Sequence, residues 1–339
     1  MLSKRQVVIG VTLWLAVFGV FVVLAGPEDF LDNLDKISYS ELAVMLGAVG
    51  VGVVAMGSTL YVIGRNIGLG LSVIESIFLN TAVSLAHNLT PFGQAGGIPL
   101  GAAILSTRST SRYEECLAAL SLKDIVSFVP AILVFVLGGP YLILYEQSIP
   151  ERLRPLFAAF TLMVVLVVGL VLAVHRNSAR AHRILQRIAA GVNRTVARFP
   201  YVPAVDSDEL EQRLDEFSDS LGAVASDRPT VVLASALATT AFVAQGTLLW
   251  LTLGAIGIDI PIALAVFVVP VSLLASGLPL PGGSGGVEGV QILVLTVIAG
   301  TGLQSTTTAV IVSRGLVFWT PIVLGSFTLT ALGIQRRRA

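Results

Sequence analysis

The chain has 339 residues, of which 55% are hydrophobic and 12% charged, and its mean hydropathy is +0.87. Soluble domains carry about 25% charged residues, so the composition excludes a chain that folds entirely in water. The formal net charge of zero gives no basis for nucleic-acid binding. Cys116 is the only cysteine and the three histidines are scattered, which excludes an intrachain disulfide and indicates no metal site. We expect no metal and no other cofactor.

Apolar runs long enough to cross the hydrocarbon core of a bilayer recur along the chain. They lack the alternation of barrel strands, so they predict an all-α polytopic membrane protein with about 8–10 transmembrane or re-entrant helices. The predicted spans are 6–25, 41–63, 70–89, 93–107, 116–139, 155–175, 229–256, 260–279, 286–300 and 307–333. The first is longer than the apolar part of a cleaved signal, and we expect it to be retained. Segments 93–107 and 286–300 are short and suit half-helices or re-entrant segments.

Basic residues in the loops predict the orientation, since such residues favour the cytoplasmic side. Lys4 and Arg5 precede the first span, an acidic loop follows it, and arginines cluster after residue 175 and at 336–338. We therefore expect a multi-pass protein of the cell membrane with both termini cytoplasmic. The predicted regions are 1–40 (N-terminal transmembrane helix and external loop), 41–175 (first membrane repeat plus connecting helix), 176–228 (cytoplasmic amphipathic and acidic connector) and 229–339 (second membrane repeat with a basic end).

Two Pro-Gly-rich segments, Leu89–Gly97 and Pro279–Gly286, resemble each other. Each follows an apolar helix and precedes one of the short apolar segments. The aligned pairs are Pro91 with Pro281, Gly93 with Gly283, Gln94 with Ser284, Ala95 with Gly285, and Gly96 with Gly286. The predicted orientations of the two copies are opposite, which indicates two inverted-topology repeats with broken helices, as in many transporters.

A helix broken in the membrane leaves backbone groups that need protein or a water-filled cavity around them. The half-helix after the break directs its partly positive N-terminus into that cavity, and glycines let an anion approach the backbone. These segments therefore suit a phosphate. The candidate substrate-binding residues at the breaks are Pro91, Gly93, Gln94, Gly96, Gly97, Pro281, Gly282, Gly283, Ser284, Gly285 and Gly286. Asn80, His87 and Asn88 lie on the approach to the first break.

Ionisable residues inside a predicted span are costly, and each is a functional candidate. Those residues are Glu75, Lys123, Asp124, Glu288 and Arg314. Arg314 could hold a phosphate in two hydrogen bonds or form an ion pair with Glu288 that locks two helices. A pair that opens when the ligand arrives would serve both hypotheses. Lys123 either faces the cavity while Asp124 faces a partner, or extends to the membrane surface. Glu75 is expected at the interface.

The spacing from break to basic residue is similar in both copies, with Lys123 32 residues after Pro91 and Arg314 33 after Pro281. Together with Thr90–Gly97, Pro99, Asp124 and Pro279–Glu288, these residues carry a resemblance. The chain resembles the lysylphosphatidylglycerol synthase transmembrane region, a flippase-like membrane domain that also occurs alone. Ile98 and Gly101 stand where that family usually has Glu and Arg. The resemblance implies movement of lipid or lipid-linked substrates and, without the lysyl-transferring domain, no aminoacyl transfer.

The leading hypothesis is a flippase for an anionic lipid or a polyprenyl-phosphate-linked sugar. The phosphate would bind between the helix breaks and Arg314, with Lys123 as a second cation, and Glu288 could couple movement to a proton. The alternatives are an ion-coupled transporter of a small soluble anion and a membrane-embedded lipid-modifying enzyme. We expect no catalytic residues. The expected partners are anionic membrane lipids, a lipid-linked glycan, and a synthase or glycosyltransferase that supplies the lipid.

Overall fold

All regular structure in the described part of the chain is helical. A computed structural model describes residues 4–90, 94–145, 226–273, 275 and 283–338. Its helices are α1 (Lys4–Ala25), α2 (Pro27–Asp35), α3 (Tyr39–Ile67), α4 (Val73–Leu89), α5 (Gln94–Leu105), α6 (Tyr113–Tyr145), α7 (Arg228–Ala255), α8 (Ile262–Ser272), α9 (Gly286–Ile298) and α10 (Leu303–Arg338). The prediction of an all-α polytopic membrane protein is confirmed.

Three of these helices, α3, α7 and α10, are long and apolar enough to cross a membrane. Helices α1 and α2 meet the same test only together, and they are bent by 92°. Helices α8 and α9 are apolar but have 11 and 13 residues, so α9 is the short helix expected over 286–300. The predicted span 155–175 and all but the last residues of the connector 176–228 lie outside the described residues.

The external loop predicted before residue 40 is instead largely the helix α2. Gly26 adopts a φ of 82°, which permits the sharp turn after α1, and Pro27 starts α2 where no N–H is needed. Glu28 and Asp29 occupy the first turn, where acidic residues are favoured. Low hydropathy therefore concealed a short helix with good start signals, and its Phe30 packs against Ile311 of α10.

Helices α3 and α7 are structural duplicates, offset by 189 residues. Each of the nine buried positions of α3 has a buried counterpart 189 residues later in α7. Both helices end in the same way. Gly68 (φ 85°) and Gly257 (φ 88°) adopt left-handed conformations, and the next residue donates its N–H to a carbonyl five residues back, each at 2.9 Å.

The two duplicated helices run antiparallel. Near its start, α3 contacts the end of α7 through Met45 and Thr252, and its end contacts the start of α7 through Asn66 and Asp227. Between these contacts Gly52 faces the backbone of its own counterpart, Ala241. Equivalent helices that cross in opposite directions at equivalent residues are the geometry of an inverted repeat, so this prediction is confirmed.

The remaining helices repeat the same arrangement. The contacts α3–α4, α4–α5, α5–α6 and α4–α10 are matched by α7–α8, α8–α9, α9–α10 and α8–α6. Each four-helix half therefore exchanges its last helix with the other half around the central α3–α7 pair. Helices α1 and α2 lie outside this pattern and pack on α10, with α1 also touching α4.

Candidate functional site

A cavity of about 210 Å³ lies where the two halves meet. The described residues that line it come from both halves: Ala48, Val49, Gly52, Val53, Met56, Asn80, Thr81, Ser84, His87, Asn88, Ala244, Gln245, Leu248, Leu273, Val287, Arg314, Val317 and Pro321. Arg314 is the one residue with a permanent charge among these. The lining is otherwise apolar, amide, hydroxyl or imidazole, so the cavity favours an anion.

Arg314 is held by the glutamate that begins α9. Its Nε donates to Glu288 Oε1 at 3.0 Å, and the side chains of Arg314 and Glu288 are 15% and 4% exposed. The other carboxylate oxygen, Oε2, accepts the N–H of Gly285 at 2.7 Å. The predicted ion pair is therefore present. The carboxylate also occupies the N-terminus of α9, where the sequence predicts an anion.

Glycines make the turn into α9. Gly283 and Gly285 have φ values of 68° and 87°, a region that side chains rarely adopt. Ser284 between them is buried, as are Gly283 and Glu288. This local geometry places the first N–H groups of α9 beside Arg314, as the second Gly-rich segment predicts.

Lys123 lies behind the cavity rather than in it. Its side chain is 3% exposed, and Nζ donates to Asn80 Oδ1 at 3.0 Å and lies 3.5 Å from Asp124 Oδ1. Asn80 lines the cavity, whereas Lys123 and Asp124 do not. The expectation that Lys123 faces the cavity as a second cation, or else extends to the membrane surface, is wrong. Adjacent side chains on a helix start about 100° apart, but the long lysine stem folds back to its neighbour.

The first break brings α5 against α4. Gly97 lies so close to His87 that an added Cβ would overlap the histidine ring and backbone. Gln94 and Gly96 lie in the same first part of α5. Pro91, Gly93, Pro281 and Gly282, which the sequence also assigns to the site, lie outside the described residues.

Several cavity residues are ones that sequence reasoning missed. Thr81, Ser84 and Gln245 line the cavity from α4 and α7. Pro321 lacks an N–H, so it leaves the carbonyl of Val317 without its helical partner, and both residues line the cavity. Polar residues and a proline within apolar spans were the available signals. By contrast, Glu75 lies at the start of α4 and pairs with Arg108 at 3.1 Å, both about two-fifths exposed, as expected of an interfacial residue.

Comparisons with known proteins agree with this geometry. The lysylphosphatidylglycerol synthase TM region matches residues 7–325. A UPF0104 membrane protein of Methanothermobacter thermautotrophicus is 26% identical over 258 residues, covering 74% of this chain and 71% of the relative. A second UPF0104 membrane protein of that organism is 24% identical over 339 residues, covering 97% and 96%. The match spans both halves and all the helices that form the cavity.

Proposed function

The chain belongs to the lysylphosphatidylglycerol synthase transmembrane-region family, and from this premise we propose that it is a transporter that moves an anionic, phosphate-bearing lipid between leaflets. The lipid is a phospholipid or a polyprenyl-phosphate-linked sugar. One observation carries the proposal: a buried arginine faces a cavity at the junction of two inverted repeats. Transporters with inverted repeats bind substrate at this junction, beside broken helices.

The chemistry of the cavity suits a phosphate headgroup. Guanidinium groups bind phosphate oxygens through paired hydrogen bonds. Only the Nε of Arg314 is committed to Glu288 in the bonds described, and Nε belongs to one edge of a guanidinium fork. Amide and hydroxyl groups of Asn88, Thr81 and Gln245 line the same space and offer further donors.

The size of the cavity supports a headgroup with its tails outside. A space of about 210 Å³ is smaller than the roughly 300–1,000 Å³ typical of pockets for drug-sized ligands, so it has no room for acyl or prenyl chains. In the proposed mechanism the tails stay in the bilayer. Rocking of the two halves then exposes the headgroup site to alternate leaflets.

Glu288 gives the site a resting state in this mechanism. Without ligand its carboxylate neutralises both Arg314 and the N-terminus of α9. A phosphate arriving from the cavity competes for Arg314, and the ion pair opens. We propose that the protein acts in this way without covalent chemistry, in the cell membrane, on lipid supplied by a synthase or glycosyltransferase.

The test is leaflet exchange of labelled phosphatidylglycerol and of labelled polyprenyl phosphate in liposomes that contain the purified protein. Removing a hydrogen bond to a charged group costs about 1.5–3 kcal/mol, so Arg314→Ala should slow exchange roughly tenfold or more. Arg108→Ala, which changes an exposed arginine outside the cavity, should exchange lipid at the wild-type rate.

The opposite result identifies the main alternative. Folded wild-type protein that exchanges neither lipid, with or without a proton gradient, contradicts the proposal. Uptake of inorganic phosphate by the same liposomes, lost in Arg314→Ala, would then assign the cavity to a small soluble anion. That transporter would use the same arginine and the same repeats.

A further inference from the structure

A second charged cluster lies on the side of the cavity away from Arg314 and has no assigned role. It consists of His87 on α4 and the adjacent Lys123 and Asp124 on α6, with Asn80 between Lys123 and the cavity. His87 is 8%, Lys123 2% and Asp124 6% exposed. Burying three ionisable groups is costly, and hydrophobic packing alone does not require them.

Two buried atoms of this cluster lack a hydrogen-bond partner within the described residues. They are Nε2 of His87 and Oδ2 of Asp124. Buried polar atoms are almost always paired, and each exception calls for an explanation. His87 also lies within electrostatic range of both Asp124 and Lys123. An imidazole nitrogen and a carboxylate oxygen, both buried and unpaired, are the groups that exchange a proton most readily.

Glu288, which the sequence suggests as the proton-coupling residue, differs from Asp124 in this respect. Both oxygens of Glu288 accept hydrogen bonds, from Gly285 and from Arg314. Such bonds favour the charged carboxylate and oppose its protonation. Asp124 has one oxygen near Lys123 and one without a described partner. The free acceptor capacity therefore lies in the second cluster.

We propose that His87 and Asp124 form the proton-binding site of the transporter, with Lys123 as a fixed counter-cation, and that one proton binds together with the anionic headgroup. This inference rests on the proposed transport function. His87 lines the same cavity as Arg314, so a proton on the imidazole adds positive charge to the space that receives the phosphate. Coupling of two binding events is reciprocal, and an occupied anion site therefore raises proton affinity at His87.

A proton fits this cluster better than a metal ion does. Lys123 Nζ lies 3.5 Å from Asp124 Oδ1, so an ammonium group already occupies the position that a cation would take. No group of three or more His, Cys, Asp or Glu residues that could hold a metal ion occurs in the described part of the chain. A proton needs only one acceptor atom and no coordination shell.

The surroundings contribute few competing charges. Within the described residues, α5 and α8 contain no titratable group, and Arg314 is the charged group that faces His87 across the cavity. The titratable groups on the other helices that pack against α4 and α6 are Lys4, Arg5, Glu41, Tyr61, Arg65, Arg228, Arg336, Arg337 and Arg338. All except Tyr61 lie in the first or last turns of their helices, and an unperturbed tyrosine ionises only near pH 10.

The experiment measures proton uptake directly, with a pH indicator, when short-chain phosphatidylglycerol is added to the purified full-length protein in weakly buffered detergent. Short-chain phosphatidylcholine is the zwitterionic control lipid. Wild type should take up protons with phosphatidylglycerol and not with phosphatidylcholine. Its affinity for phosphatidylglycerol should weaken by up to about tenfold per pH unit above the transition, because one linked proton gives that slope.

The variants separate a proton site from a structural role. His87→Gln keeps a polar side chain and leaves the Lys123–Asp124 pair intact, whereas Asp124→Asn removes the carboxylate. Both should bind phosphatidylglycerol without proton uptake and with an affinity independent of pH. Glu75→Gln, which changes an exposed carboxylate in another ion pair, should behave as wild type.

Failure of this inference differs from failure of the transport function. Wild type that binds and exchanges phosphatidylglycerol without taking up protons overturns the proton site and leaves the transporter in place. Proton uptake that persists in His87→Gln, in protein that still binds lipid, also overturns it. Wild type that neither binds nor exchanges an anionic lipid overturns both proposals.

Discussion

At the scale of single residues, the cavity depends on polar atoms that pair across long sequence separations. Lys123 is satisfied by Asn80, which is 43 residues earlier in the chain. Arg314 is satisfied by Glu288, 26 residues earlier, which in turn accepts from Gly285. In both cases a buried cation is neutralised next to the cavity and not inside an apolar core. Each pair fixes one wall of the space where the ligand is proposed to bind.

Substituting Asn80 tests how much Lys123 depends on its partner. Asn80→Leu keeps the volume nearly constant but leaves the buried Nζ of Lys123 with one fewer acceptor. We expect the free energy of unfolding to fall by about 1–3 kcal/mol, the cost of an unsatisfied buried group. Reversible unfolding in mixed micelles measures it.

Asn66→Leu is the matched control for that substitution. Asn66 also bonds to a side-chain oxygen, that of Asp227, at 2.7 Å, but the pair is exposed. We expect a change within about 0.5 kcal/mol, as for most surface substitutions. Equal losses in the two variants would show that Asn80 does not stabilise a buried amine.

The sequence predicts the Arg314–Glu288 pair but not the position of Lys123. Glu288 and Arg314 are the ionisable residues of their spans, so few other pairings were open. The orientation of Lys123 depends on rotamers and on Asn80, because helical periodicity gives only the direction in which a side chain starts. His87 could be identified as a polar residue near the break, while its unpaired nitrogen became apparent only in three dimensions.

At the scale of the helices, close packing of glycines repeats in the two halves. An added Cβ at Gly57 would approach the Cα of Ile77 in α4, and one at Gly246 would lie 2.5 Å from the Cα of Val266 in α8. Both glycine positions and both contacts are offset by 189 residues. The α3–α4 and α7–α8 crossings therefore have the same geometry, and it depends on a missing side chain.

Alanine substitutions test this dependence. Gly57→Ala and Gly246→Ala should each lower the free energy of unfolding by about 1–3 kcal/mol, because neighbouring backbone must move to admit the methyl group. Gly50→Ala and Gly254→Ala, in the same two helices, are the controls. An added Cβ there meets no described atom within 4 Å, and the higher helix propensity of alanine should leave the stability equal or slightly greater. Control variants as unstable as the other two would contradict this account.

The sequence predicts the elements better than it predicts their ends. The spans and the two short helices follow from apolar runs and Pro-Gly breaks. The predicted span 260–279 is longer than α8, which stops at Ser272, and the predicted span 116–139 is shorter than α6, which covers Tyr113–Tyr145. The duplication of α3 in α7 is hidden because equivalent positions hold different residues, such as Gly64 and Leu253. Burial is repeated where residue identity is not.

At the scale of the whole molecule, the antiparallel α3–α7 pair determines which loops share a side of the membrane. The start of α3 lies with the end of α7, and the end of α3 lies with the start of α7. Arg65 and Arg228 flank this second pair of ends, and the basic residues assign that side to the cytoplasm. This assignment makes a direct prediction for chemical labelling.

Single cysteines report the side of the membrane once Cys116, which is buried, is replaced in Cys116→Ser. Asp35→Cys and Asp259→Cys should react with a membrane-impermeant maleimide added to intact cells. Asn66→Cys and Arg228→Cys should react only in inverted vesicles. All four native residues are exposed, so access and not burial decides the result. Labelling of Asp35→Cys and Asp259→Cys from opposite sides would contradict the inverted repeat.

The N-terminal helices break the symmetry that the rest of the molecule keeps. Trp14 of α1 stacks on Phe318 of α10 with ring centroids 4.5 Å apart, and α1 and α2 pack mainly on α10. In a protein of two equivalent halves, an outward-facing and an inward-facing form differ only by which half adopts which shape, and their energies would be nearly equal. A pair of helices attached to one side shifts that balance. A bias of about 1.4 kcal/mol is a tenfold ratio of populations, so the aromatic contacts of α1 determine which leaflet the unloaded carrier faces at rest.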